Sequence, residues 1–250
     1  MSRFEAARPT AREGAAAPNR SAANATAGSH VRLASLDVVA VAGLLVAAVV
    51  LPLAVGAIGG VLDVPRNDDW SYRGIAMRLY QTGRLELDGA VQAASLGLAL
   101  AIQPLLWLSG GEWWAFLVAG IVFDALAISA GYLLLRRILP RPLAALGMGL
   151  VVIFPAWLPY SLSFMSDVPG LAAQLTCLYF GAVALDRPRS SGRWLAAALV
   201  VGLYGYSIRE FALAAPAAVL LAAFLREPKR ASIWVGTAPA SAAMRPIMAL

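Results

Sequence analysis

Cysteine and histidine are almost missing from this 250-residue chain, with Cys177 and His30 each standing alone. One of each excludes a disulfide framework and a Cys/His metal centre. Lysine is equally scarce, because Lys229 is the single lysine among the 20 basic residues. Such an arginine bias fits a GC-rich bacterial genome. No basic stripe interleaved with aromatics accompanies it, so no nucleic-acid partner is expected. Charged residues of either sign make up only 14% of the chain, against 60% hydrophobic residues. That balance excludes an ordinary soluble domain and predicts an all-α, polytopic membrane protein. No internal repeat is apparent.

What is present is a series of apolar runs separated by arginine clusters. Residues 1–35 are rich in Ala, Arg, Ser and Pro and lack apolar periodicity, as expected of a disordered tail. The first apolar run, 36–62, is far longer than a signal-peptide core and predicts a helix of about 40 Å, enough to cross a bilayer. Further spans are expected over 113–135, 143–160, 168–185, 194–208 and 211–225, about six in all. Arg136, Arg137 and Arg141 fall in one connection, Arg187, Arg189 and Arg193 in a second, and Arg226, Lys229 and Arg230 in a third. The alternate connections are poor in positive charge. By the positive-inside rule the N-terminal tail, these three loops and the tail 226–250 are cytoplasmic, and 63–112 is a large outer loop. Within it "SLGLALAIQPLLWLSGG", 95–111, is apolar but short and carries Pro104. A re-entrant segment is expected there, since a full crossing would invert every later loop.

Polar side chains stand where the chain leaves this predicted membrane. "VPRNDDWSYRGIAMRLYQTG", 64–83, sets Asp68 beside Asp69 at the start of an amphipathic, surface-lying helix, with Tyr72, Ile75, Ala76 and Leu79 on one face and Ser71, Arg78 and Gln81 opposite. Helix capping accounts for an acid at this position. "SFMSDVPG", 163–170, begins a later span with Asp167, again at an N-cap position. "GYSIREFAL", 205–213, brings Tyr206, Arg209 and Glu210 to the same face, where two short helices meet. A cap explains either acid, and an Arg-Glu turn is commonly a solvated helix end; the convergence of three separated segments on one face is what points to a site. Trp113, Trp114, Trp157 and Tyr160 are expected to be interfacial anchors.

The order of Asp68, Asp69 and Tyr72, then "LYQTGRL", "QPLLWLSG", "SFMSDVP" and "SIREFALAAP" resembles the GT-C membrane glycosyltransferases. The likeness is to the bacterial branch similar to aminoarabinose transferases and protein O-mannosyltransferases, over residues 36–225. It implies transfer of a sugar, usually with inversion, from a polyprenyl-phosphate donor to an acceptor lipid, glycan or protein outside the inner membrane. By that resemblance Asp68 is the base, Asp69 holds the loop or shares a metal, and Asp167 orients the acceptor or sugar. Arg209 would pair with the donor phosphate, near Glu210, and Tyr72 and Tyr206 would contact sugar or phosphate. A divalent ion is compatible with the family but not required by it, and no metal ligands are assigned. Two departures stand out: the usual Asp-Glu pair is Asp-Asp here, and family members generally continue through further spans. The chain is therefore expected to be the N-terminal portion of such an enzyme, an incomplete copy.

Two readings from other classes compete. Asp124 lies within the 113–135 run, about 15 Å from the aromatic pair Trp113-Trp114 and so near mid-bilayer, where an ionisable group marks a transport function. Its structural explanation is a carboxyl kept neutral or hydrogen-bonded to Ser129 or another helix. No inverted repeat or pair of glycine-broken helices accompanies it. The other alternative is a non-catalytic membrane remnant.

Overall fold

The computed structural model describes residues 36–87, 95–187 and 191–226. The tails 1–35 and 227–250, with His30, Lys229 and Arg230, and the segments 88–94 and 188–190, with Arg189, lie outside the described residues. The chain divides into a unit 1–39, described only over its last four residues, and a unit 40–250. Among the described residues every regular element is helical.

Among the described residues three helices are long and apolar enough to cross a membrane: α1 (Leu36–Ile58), α4 (Trp114–Leu135) and α7 (Asp167–Asp186). The other elements are α2 (Asp69–Thr82), α3 (Leu96–Ser109), α5 (Arg141–Val152), α6 (Trp157–Ser161), α8 (Ser191–Tyr206), a 3₁₀ turn Glu210–Leu213, and α9 (Ala214–Arg226). Full-length crossings thus account for three of the expected spans, and shorter helices occupy the others. The expected span 143–160 is interrupted: α5 stops at Val152 and α6 begins at Trp157, because Pro155 has no N–H to continue the ladder and disfavours helical geometry in the residue before it.

Proline also shapes α1. A π-helical segment, Val46–Val50, precedes Pro52, which offers no N–H to the Ala48 carbonyl four residues back. The indole N–H of Trp157 donates to that carbonyl at 3.1 Å. Trp157 is only 5% exposed, so it ties α6 to α1 and is not the interfacial anchor expected of it. Trp113 and Trp114 do remain exposed.

α7 is the organising helix, packing on α4, α8 and α9. Small residues permit the close approach: a Cβ at Gly181 would meet Val219 of α9 at 2.3 Å, and one at Gly205 would meet Ala173 of α7 at 2.7 Å. At the other side of the bundle α2 and α3 form a hairpin-like pair. Tyr72, Ile75 and Ala76 of α2 bury against Leu98, Ile102 and Leu106 of α3, with Phe116 and Ile208 closing the cluster. The Gln103 amide of α3 donates to the Ala76 carbonyl of α2 at 3.2 Å. α3 starts against the end of α8, where Gly97 N–H donates to the Ser207 carbonyl at 2.8 Å. A Cβ at Gly97 would lie 2.3 Å from the Ser207 hydroxyl, so only glycine admits this contact.

The amphipathic pattern of α2 holds with one correction. Ser71, expected on the polar face, is buried along with Tyr72, and its hydroxyl has no partner among the described residues. α2 ends as its sequence requires, with Gly83 in the left-handed region at φ 67°.

Candidate active site

The site forms where α2, the start of α7 and the turn after α8 meet. Asn67, at φ 52°, turns the chain into α2, and Asp68 occupies the N-cap position without a side-chain capping bond. Its main-chain carbonyl accepts from Ser71 and Tyr72 at 3.0 and 3.4 Å, so the backbone is fixed while the carboxylate stays exposed. Capping therefore does not account for this side chain. The neighbouring loop is held to the start of α7 by the Asn67 amide, 3.9 Å from the Met165 sulfur.

Asp69 has the opposite environment. It is completely buried and accepts two hydrogen bonds from Arg73, at 2.6 and 2.7 Å, one helical turn on. The Arg73 guanidinium lies over the Phe116 ring at 5.5 Å, and Phe116 meets Phe164 edge-on at 4.9 Å. This is the bidentate geometry that suits a buried arginine–carboxylate pair. Such a pair ties Asp69 to the next turn of α2, and its carboxylate is closed off from solvent.

Asp167, Arg209 and Tyr72 come together. Arg209 donates from Nη2 to Asp167 Oδ1 at 3.1 Å and from Nη1 to the Tyr72 hydroxyl at 3.4 Å. Ser166 donates to the same hydroxyl at 3.1 Å. Each partner is placed by a local feature. Asp167 opens α7, where its charge faces the positive end of the helix dipole. Arg209 is extended, at φ −153° and ψ 132°, because α8 has ended and the 3₁₀ turn has not begun. Gly170, one turn into α7, lets Arg209 approach: a Cβ there would sit 2.9 Å from the Arg209 Cβ and 3.2 Å from the Phe211 ring.

An apolar groove of about 510 Å³ reaches this cluster, with Asp167 and Phe211 in its wall beside Leu150, Phe154, Trp157 and Leu171. The other predicted site residues stand apart. No hydrogen bond joins Asp68 to Asp167 or Arg209 among the described residues. Tyr206 ends α8 with its ring exposed, and Glu210 opens the 3₁₀ turn on the exposed side. Among the described residues no group of three or more His, Cys, Asp or Glu could hold a metal ion.

Two contributors escaped the sequence reading. Arg73 belongs to neither face of the amphipathic pattern over 64–83, yet Asp69 and Arg73 stand at the i, i+4 spacing that pairs side chains on a helix. Ser166 carried no signal, since its partner Tyr72 lies 94 residues away. Asp124 is 1% exposed within α4, and neither of its carboxylate oxygens has a hydrogen-bond partner among the described residues. Of the structural explanations open to it, a bond to Ser129 or to another helix is not formed among the described residues.

No curated protein and no solved structure matches the chain. Over residues 94–246, more than half its length, the sequence matches the family described as dolichyl-phosphate-mannose-protein mannosyltransferase. That stretch carries α3, the Asp167 motif and the Arg209 turn. The chain belongs to this family, of GT-C type, and is a membrane glycosyltransferase of the class that draws on lipid-linked sugar donors.

Proposed function

We propose that the chain transfers a sugar from a polyprenyl-phosphate donor to an acceptor on the outer side of a bacterial inner membrane. The observation that carries this reading is the fork of Arg209 between Asp167 and Tyr72 at the apolar groove. A donor of this kind has a charged phosphate joined to a long hydrocarbon. The groove offers its tail an apolar bed, and the guanidinium offers its phosphate two donors in one plane.

In the transfer, an acceptor oxygen attacks the anomeric carbon as the bond from that carbon to the phosphate oxygen breaks. Asp68, exposed and free of capping duty, takes the acceptor's proton. The electron pair of the broken bond stays on the phosphate, and Arg209 balances the added charge. Tyr72 accepts from both Arg209 and Ser166, so its own proton is available to a phosphate or sugar oxygen. Asp167 keeps the guanidinium in register and orients the sugar or acceptor. Asp69, paired with Arg73, holds the loop that presents Asp68.

Proton-coupled transport through Asp124 is the lesser reading. A relay needs a hydrogen-bonded neighbour to pass the proton on, and the described residues supply none.

The test is transfer of labelled sugar from a polyprenyl-phosphate donor by membranes containing the chain. Asp68→Asn should lower the rate by about 100-fold or more while insertion is unchanged. Wild-type transfer by Asp68→Asn would remove Asp68 from the base role. A wild-type chain with no transfer from any such donor would favour the non-catalytic remnant.

A further inference from the structure

At the opposite end of α7, about 30 Å from Asp167 by helix length, a second pocket of about 300 Å³ opens between the C-terminal ends of α4, α7 and α9. Leu134, Ile138 and Leu185 form apolar walls, and Arg137, Asp186 and Arg226 rim it. Arg137 pairs with the Asp186 carboxylate, reaches the Ala182 carbonyl at 3.4 Å and lies over the Tyr179 ring at 5.9 Å. Arg226, in the last turn of α9, is exposed and makes no ion pair among the described residues.

A purely structural account covers part of this. The Arg137–Asp186 pair clamps α4 to α7, and arginines suit the negative ends of helix dipoles. It does not explain why the clamp borders a cavity with greasy walls, nor what balances the second arginine. Among the described residues that line the pocket, two arginines face one aspartate, an excess of one positive charge in that lining. Ile138, 78% exposed, projects its side chain beside the charges.

We propose that this pocket binds an anionic phospholipid, its headgroup phosphate between Arg226 and Arg137 and its acyl chains along Leu134, Ile138 and Leu185. An inorganic phosphate would use the arginines alone. An amphiphile uses both the charges and the apolar walls, and the pocket lies at the end of the bundle bearing the arginine-rich loops, where anionic headgroups meet basic pockets between helices. The site is independent of the transfer reaction, and its occupant carries no sugar.

The test offers the full chain in detergent an equal mixture of phosphatidylglycerol and phosphatidylcholine and reads bound lipid by native mass spectrometry. Phosphatidylglycerol should be retained about fivefold over phosphatidylcholine, the preference one arginine near a headgroup supplies. Arg226→Gln should bring retention to parity with helical circular dichroism unchanged. Parity in the wild-type chain, or a preference that survives Arg226→Gln, overturns the proposal. Displacement of the lipid by millimolar inorganic phosphate also overturns it, by assigning the arginines to a free anion.

Discussion

Asp68 and Asp69 are adjacent in sequence and unlike in every physical respect. One carboxylate faces solvent with its backbone pinned; the other is fully buried and bonded by Nε and Nη2 of Arg73, whose guanidinium lies over Phe116. Taking one partner from a buried pair leaves an uncompensated charge, at a cost of about 3–5 kcal/mol, whereas replacing both with apolar side chains of similar size costs much less. Asp69→Ala should therefore lower the thermal unfolding midpoint in detergent sharply, and Asp69→Leu combined with Arg73→Met should recover most of the loss. A double variant as unstable as the sum of its single changes would show that the pair is not the unit that matters. At this scale the sequence was informative wherever partners are close along the chain, as for Asp69 and Arg73. It was silent for Ser166 with Tyr72, and it set Arg209 and Asp167 on one face without giving the bond between them, because nothing local encodes a bond across such separations.

Elements extend the same contrast. The start of α7 and the turn after α8 were legible as helix boundaries, since Pro169 suits a first turn and Arg209-Glu210 interrupts an apolar run too long for one span. Hydropathy alone could not tell that 143–160 breaks in two at Pro155, or that Trp157 answers a carbonyl of α1 left without its usual donor by Pro52. The break is a local effect of proline that hydropathy does not weigh, whereas the Trp157 bond depends on which helix lies alongside. The same holds for Gly170, whose role is to admit the Arg209 Cβ and the Phe211 ring against α7. Gly170→Ala places a Cβ 2.9 Å from that of Arg209, closer than the two can settle without moving the guanidinium. Displacements near 1 Å at a reacting centre cost about 100-fold, so transfer by Gly170→Ala should fall roughly 10- to 100-fold with the helical content unchanged. Full activity in that variant would mean that Arg209 is tolerant of position and cannot be holding a phosphate through a planar fork.

At the scale of the molecule, the described residues include three full-length apolar helices with two chemically different ends. One end gathers Tyr72, Asp167 and Arg209 beside an apolar groove; the other gathers Arg137, Asp186 and Arg226 around a smaller pocket. The charge rule and the apolar runs had already separated these residues, assigning Arg137 and Arg226 to one set of connections and Asp167 and Arg209 to the other. They could not foretell how far short helices stand in for full crossings, since packing against α7 decides that. The central claim is that the Arg209 guanidinium receives the phosphate of a lipid-linked donor, and equilibrium binding of a polyprenyl phosphate to the purified chain measures it directly. Arg209→Gln should weaken binding at least tenfold, in line with the loss of one charge-assisted contact, while Arg84→Gln, at an exposed position beyond the end of α2, should bind as the wild-type chain does. Equal affinity in Arg209→Gln and the wild-type chain would contradict the account.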